Sequence, residues 1–504
     1  MSGGTRDTRR AFALRAGVWL VAATLLPAAA HGYDPATTHA GLTERAVAAS
    51  GLHKVLTRRL GRPLGLFEPV ALRSGDVPEP QAAWLELRLD ALDPSAGCRP
   101  GSDGAASALA WVVAGAVIAG TPAERGQHFY YDPSRGAGLE QAGGLGGIGY
   151  GLRLLMDAGG GGVRGWAVGS SFNMTGRPST EWLLAPENDV GLVAFHTELE
   201  VAITNPEPGR RATALARALL ALGGTLAVLE DAGDPAHVRN DFRAAYLGAG
   251  GASPFDRGSA FERFVSESYG RMGLPAPVPP VSRPNVLAFI TAADREGLAD
   301  RTQRRFFSDG SVPATATVDR DTTAAEVMQD ARASMPYAFP RLPRLELAAI
   351  GRRSYAYAAG SEATAADGGR PRRRRLLAYQ RVPGRVRFFL DESVYADNAR
   401  VLLPEIAGYA AGLIDHLFRA EIRLATDAAG LTVSLTGTRG IPRGGAIRLF
   451  AEAADGTRRE LGTAVASEAE VKLAIPIGTR RIAAVWRGLD DAGEAVAVAE
   501  VPVR

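Results

Sequence analysis

Residues 222–241 read Leu222-Gly-Gly-Thr-Leu-Ala-Val-Leu-Glu-Asp-Ala-Gly-Asp-Pro-Ala-His-Val-Arg-Asn-Asp241. The apolar first half predicts a buried helix that delivers Asp231 near its end. Gly233 and Pro235 then break that helix, because glycine suits a helix C-terminus and proline cannot continue the hydrogen-bond ladder. The turned chain carries His237 back towards Asp231, which a continuing helix would not do. Imidazole nitrogen and carboxylate oxygen hold zinc where thiolates are absent, and neighbouring helices let such groups converge. Cys98 is the only cysteine, which rules out an internal disulfide and a thiolate zinc cluster. Any metal must use Asp, Glu and the seven histidines.

Outward from this stretch, residues 31–424 read as helices joined by Gly- and Pro-rich loops. Leu402, Ile406, Tyr409, Leu413 and Leu417 mark one buried helical stripe, and the apolar run from Ala106 to Gly120 predicts another buried helix. After Asp427 the pattern changes to short alternating or β-branched runs separated by Gly, Asp and Pro turns. These runs are Leu431 to Leu435, Ala446 to Ala451, Glu470 to Ile475, Arg481 to Trp486 and Ala495 to Val501. The expected architecture is therefore mainly α: a helical domain over 31–424 and a small β-sandwich over 425–504. A length of 504 residues suits two or three folded units. Composition, with 22% charged and 46% apolar residues, favours neither a disordered nor a fibrous chain.

Three stretches predict surface loops, lids or insertions: Gly136 to Gly165, Pro275 to Pro284 and Ala358 to Arg375. Gly144, Gly146 and Gly149 have a dinucleotide-type spacing, but no strand signal precedes them, so a nucleotide site is not expected. The run from Arg372 to Arg375 reads as solvated charge.

The first thirty residues predict a signal peptide. Arg6, Arg9, Arg10 and Arg15 precede an apolar run from Val18 to Pro27 and the small residues Ala28, Ala29 and Ala30. Thr8-Arg9-Arg10-Ala11-Phe12 also fits a twin-arginine export signal. The expectation is a secreted or periplasmic protein with no transmembrane segment after cleavage, since no later apolar run reaches about 20 residues. Removing residues 1–30 takes the formal charge from +3 to about zero. Charge then gives no signal for nucleic acid.

Four segments together resemble the zinc-dependent phospholipase C family, which is related to alpha-toxin and to the single-strand-specific fungal nucleases. The first is the 222–241 stretch, similar to the family's helix carrying His and Asp followed by Pro-x-His. The second runs from Gly115 to Pro133 and looks like the segment that supplies an acidic ligand and general base, with Glu124 and His128 on those positions. There Glu124 replaces an aspartate, and its spacing to His128 is short. The third, from Thr38 to Ala46, is similar to an N-terminal helix whose His binds a third zinc, which puts His39 there. Cleavage after Ala30 makes His31 the mature N-terminal residue, a further ligand in this family. The fourth, Phe261-Glu262-Arg263-Phe264, resembles the helix bearing the last carboxylate ligand.

The resemblance implies one to three zinc ions held by His31, His39, Glu124, His128, Asp231, His237 and Glu262. Asp231 bridges the metals, and Glu124 orients the attacking water. Two positions depart from the pattern: Ala227 and Gly258 stand where histidines are expected, one turn before Asp231 and before Glu262. At least one site is therefore empty or rebuilt, with His196, Glu200, Asp241 and Asp256 the residues near enough in sequence to help; His196 on its apolar helix reads as structural. His53 and His416 read as structural too. The activity implied is hydrolysis of phosphoric esters, phospholipid at a membrane surface included. The alternatives are an exported binding or scaffold protein that has lost the reaction, and a single-strand nuclease, which needs an aromatic base-stacking pocket.

Overall fold

The structure is a computed structural model that describes residues 33–72, 104–120, 123–139, 176–241, 259–319, 321–333, 349–358, 365–367, 370–427, 430–466 and 471–503. The expected signal segment, His31, Asp256 and the Gly144–Gly149 spacing lie outside the described residues. The longer helices among those described are α1 (Ala40–Ala49), α2 (Ala108–Ile118), α3 (Leu192–Thr204), α4 (Pro208–Asp231), α5 (Ala260–Ser268), α6 (Leu298–Arg305), α7 (Ala324–Ala333) and α8 (Glu392–Leu417).

Helix α4 is the one that the opening stretch predicts. It starts at Pro208, a first-turn position where the missing N–H costs nothing. Its second half is buried on every side, as expected of a helix at the centre of a domain. It is long and apolar enough to cross a membrane, yet 83% of its apolar window is buried inside the fold. Helix α2, predicted from the Ala106–Gly120 run, lies directly against it. A Cβ at Gly223 would fall 1.8 Å from the Val112 carbonyl oxygen, and one at Gly115 1.9 Å from that of Leu220. Glycine at both positions lets the two backbones touch.

The α8 stripe is buried as its spacing predicts, with Leu402, Ile406 and Leu413 at 1% exposure or less. The Pro275–Pro284 stretch is a strap along α8 rather than a lid. Val278 and Val281 donate their amides to the carbonyls of Pro404 and Gly408, both at 3.1 Å.

The large domain is not purely helical. It contains the short pair β1 (Pro69–Ala71) and β2 (Ala105–Ser107), and a four-stranded antiparallel sheet. That sheet is built from β3 (Ala316–Thr317), β4 (Arg353–Tyr357), β7 (Arg375–Val382) and β8 (Arg385–Phe389), in the order β3-β8-β7-β4. Between them lies the hairpin β5 (Ala365–Asp367) and β6 (Arg370–Arg372). Leu376 to Tyr379 in β7 are buried consecutively, so this strand lacks the alternation by which a half-exposed strand is recognised. The arginine run before it is only partly solvated. Arg374 is 1% exposed, with its guanidinium 4.4 Å from the centroid of the Phe306 ring. The Arg375 amide donates to Asp397 at 2.9 Å.

The C-terminal sandwich begins with β9 (Glu421–Asp427), ahead of the expected start at 425. It continues through β10 (Gly430–Thr436), β11 (Ala446–Glu452), β12 (Arg458–Val465), β13 (Val471–Leu473), β14 (Arg481–Asp490) and β15 (Gly493–Pro502). One sheet has the order β13-β10-β9, the other β12-β11-β14-β15. Along β14, Ile482, Ala484 and Trp486 fill the sandwich interior, while Ala483 and Val485 join the core of the helical domain. The strand is covered on both faces, with successive side chains serving two different cores.

Candidate metal centre

The end of α4 and the turn after it build the floor of the site. Gly233 and Pro235 stop the helix as expected, and Asp234 closes the turn by accepting the Ala236 amide at 2.9 Å. The chain then enters a single turn, His237–Arg239, and leaves it through Asn240 in the left-handed region at φ 48°. Asp231, Asp234 and His237 are all fully buried.

Two imidazoles are each held by a carboxylate from this stretch. His39, just ahead of α1, has Nδ1 2.6 Å from Glu230 Oε2, and Thr43 one turn later donates to the other Glu230 oxygen at 2.7 Å. His237 Nδ1 lies 2.8 Å from Asp234 Oδ2. A carboxylate that fixes one ring nitrogen and leaves the other available is the usual support for a metal-binding histidine. The Tyr130 ring stacks on His237 with centroids 4.0 Å apart.

Helix α5 supplies Glu262 through a capping box: the Ser259 hydroxyl accepts the Glu262 amide at 3.1 Å, and Glu262 Oε2 accepts the Ser259 amide at 2.6 Å. The remaining oxygen, Oε1, lies 3.7 Å from His237 Nδ1. Asp234, His237 and Glu262 form the group of potential metal ligands found among the described residues, with one donor atom from each lying within 4.8 Å of the others.

Four buried polar atoms in this chamber lack a hydrogen-bond partner among the described residues: His39 Nε2, Asp231 Oδ2, His237 Nε2 and Glu262 Oε1. His39 Nε2 does lie 3.2 Å from Asp231 Oδ1, but without the alignment of a hydrogen bond. An unpaired buried donor or acceptor costs about 1–3 kcal/mol, so four together call for a ligand. Charge points the same way. Four buried carboxyls, on Glu230, Asp231, Asp234 and Glu262, face two imidazoles, an excess of acids that a bound cation would balance.

The titration of these groups reflects that crowding. Burial alone would pull His39 down, but Asp231 and Glu230 outweigh it and lift the imidazole to about 10. His237 is raised against its own burial by Asp231 and Asp234. Burial and the neighbouring Asp234 push Glu262 well above the carboxylate range, while hydrogen bonds from Glu262 and His237 hold Asp234 below it despite burial. Two buried carboxyls this close crowd like charge into one place, which a cation would relieve.

The structure brings His39, Asp231, His237 and Glu262 into one chamber. His128 makes other contacts: its Nδ1 accepts the Arg177 amide at 2.9 Å and its ring stacks on Trp182 at 4.3 Å. It falls outside the Asp234–His237–Glu262 group, because those contacts aim it at the next segment of chain. The backbone of Glu124 belongs to a 3-10 segment, Ala123–Phe129, that leads into Tyr130. Tyr33, the first described residue, reaches the chamber, its amide donating to Asp231 Oδ1 at 3.2 Å. His196 pairs with Glu494 of β15 at 3.1 Å, and its one-turn neighbour Glu200 with Arg487 at 3.4 Å. Both serve the contact between domains. Asp241 accepts the Gly310 amide at 2.6 Å.

Glu230 and Asp234 escaped the sequence reading. Glu230 lies in the half of α4 that has no exposed face, where a carboxylate has to find an internal partner. Asp234 stands three residues before His237 across a proline, a spacing that a turn converts into contact.

No family model matches this chain, and no curated protein matches it. Among solved structures it is similar to alpha toxin from Clostridium absonum. The identity is 10%, the TM-score 0.26, and the match covers 94% of this chain and 93% of the toxin. It is also similar to Clostridium perfringens alpha-toxin isolated from avian strain SWCP, at 9% identity and a TM-score of 0.29, covering 94% and 100%. The case for function rests on the residues of the chamber.

Proposed function

We propose that this protein binds zinc in the chamber at the end of α4 and hydrolyses phosphoric esters. The observation that carries the proposal is the set of four unpartnered polar atoms on His39, Asp231, His237 and Glu262, buried among an excess of carboxylates. Two of those four are imidazole nitrogens whose opposite nitrogens are already fixed by carboxylates, a donor set that suits zinc. Asp234, His237 and Glu262 line one position, with Asp234 fixing the His237 ring through Nδ1. His39 and Asp231 supply the donors of a second position. Bound zinc polarises a phosphoryl oxygen and lowers the pKa of water. The chain's own part is to hold the rings in register through Glu230 and Asp234 and to wall off His237 with Tyr130. Glu124 is the proposed base, on the segment that ends at that wall.

In this reading the protein is exported. The Tyr33 amide beside Asp231 supports cleavage after Gly32, with the small residues Ala30 and Gly32 before the cut, rather than after Ala30. N-terminal sequencing of the exported protein tests this, and a terminus at His31 would count against it.

A second reading is favoured by one observation: Asp231 and His237 are fully buried. A metal held there without access for substrate makes the chain a metal-stabilised binding protein. Elemental analysis of the wild type and of Asp231→Ala and His237→Ala, together with turnover of a phosphodiester and of phosphatidylcholine, separates the readings. Zinc lost on mutation with turnover supports the hydrolase. Zinc without turnover supports the second reading, and absence of zinc from the purified wild type removes both.

A further inference from the structure

The helical domain and the β-sandwich enclose a cleft of about 670 Å³ on the side of the segment Leu52–Arg59. One wall is that segment and the end of α8, the other is β9 and the end of β15. The charges on it do not balance. Its three acids are already engaged. Asp415 accepts the Gly51 amide at 2.6 Å, Glu421 accepts from Arg59 at 3.3 Å, and Glu500 is held by Arg458 and Arg481 at 2.6 and 2.9 Å.

Two of its cations are engaged as well. Arg59 donates to the Phe418 and Ala420 carbonyls at 2.7 and 2.9 Å, and Arg419 pairs with Asp490 at 2.7 Å. That leaves Lys54, Arg58 and Arg423. Lys54 and Arg58 are exposed, stand one helical turn apart on the same face, and have no ion-pair partner among the described residues. Among the described residues Arg423, on the opposite wall, reaches just the already shared Glu421, at 3.9 Å. Beneath them lie the buried apolar side chains of Val55, Phe418 and Ile422. Cations of one sign over an apolar floor in a concave site concentrate the field and attract an anion.

We propose that this cleft binds a phosphate ester with an apolar portion, the phosphate on Lys54, Arg58 and Arg423 and the apolar part on the floor. Because cations of both domains hold the ligand, binding ties the sandwich to the helical domain. The site is separate from the metal chamber and does not depend on the reaction proposed there.

Titration calorimetry with inorganic phosphate and glycerol 3-phosphate, and co-sedimentation with phosphatidylcholine vesicles with and without phosphatidate, test the proposal. The wild type is expected to bind at least one phosphate probe, more weakly in about 0.5 M salt, where exposed charges are screened. Lys54→Gln with Arg58→Gln should weaken binding about tenfold, the combined effect of two screened contacts. Asp231→Asn should leave this binding in place, which distinguishes the cleft from the metal chamber. Binding of the free esters identifies a soluble ligand, and binding confined to phosphatidate vesicles identifies a lipid. If the double variant fails to fold, Arg423→Gln on the other wall should weaken binding about threefold. Wild-type protein that binds none of the probes, or a folded double variant that binds as tightly as wild type, overturns the proposal.

Discussion

Replacing Glu262 by glutamine removes one negative ligand from the chamber and little else. The capping box survives, because glutamine accepts the Ser259 amide as glutamate does. In the metal-free protein burial and the neighbouring Asp234 push the Glu262 carboxyl well above its ordinary range, so its charge is disfavoured there. Glutamine fills the same space without a charge that burial opposes, so metal-free stability should change by less than about 1 kcal/mol. The zinc-loaded protein should respond differently. At a zinc concentration about 1,000 times its dissociation constant, the wild type gains about 4 kcal/mol of stability. A variant bound roughly 100-fold more weakly, for want of one of three ligands, keeps about 1.4 kcal/mol of that. The expected loss is about 2.7 kcal/mol in zinc and close to nothing in chelator. Urea unfolding of both proteins in both conditions, with bound zinc measured directly, makes the comparison. Equal responses of wild type and variant to zinc would refute the reasoning and leave Glu262 as a helix cap alone.

Gly223→Ala drives a methyl group into the Val112 carbonyl and should cost roughly 2–3 kcal/mol in urea unfolding, at a position remote from the chamber. Ala227→His restores an imidazole at a fully buried helical position; it should destabilise the metal-free protein by about 1–3 kcal/mol and tighten zinc binding, read as zinc retained during dialysis against chelator. Glu494 is held down to about 2, chiefly by its hydrogen bond to His196 and also by Arg487. Being depressed, it contributes stability that is complete above the ordinary glutamate range and is lost as pH falls from about 4.5 through about 2. Glu494→Gln should therefore flatten that part of the acid unfolding curve, and an unchanged acid limb would remove this carboxylate from the contact between domains.

The helical domain was legible because its buried helices are apolar over whole turns. The Pro208–Asp231 and Glu392–Leu417 helices carry their periodicity in the sequence, and Gly233 with Pro235 announces where the first one stops. Five strands of the sandwich were legible for a similar reason, as short runs between turn residues. The inserted sheet was not. Its central strand is buried on consecutive residues, and its arginines meet Phe306, Asn398 and Asp397, which approach from other parts of the chain. Strand β12, Arg458–Val465, begins with three charged residues, and the buried Arg458 is received by Glu452 and Glu500 at 2.8 and 2.6 Å and by the Ile203 carbonyl at 2.8 Å.

By itself the sequence determined which side chains can hold a metal, since one cysteine and seven histidines leave few donors, and where the chain must turn to bring His237 near Asp231. Tertiary structure decided which donors meet. It paired Glu230 with His39 across 191 positions, put Asp234 beside Glu262, brought Tyr33 to Asp231, and turned His128 onto Trp182. The physical reason is that backbone turns follow from local residue types, whereas a buried charge is compensated only by whatever group the packed helices bring beside it, and that partner has no fixed distance along the chain.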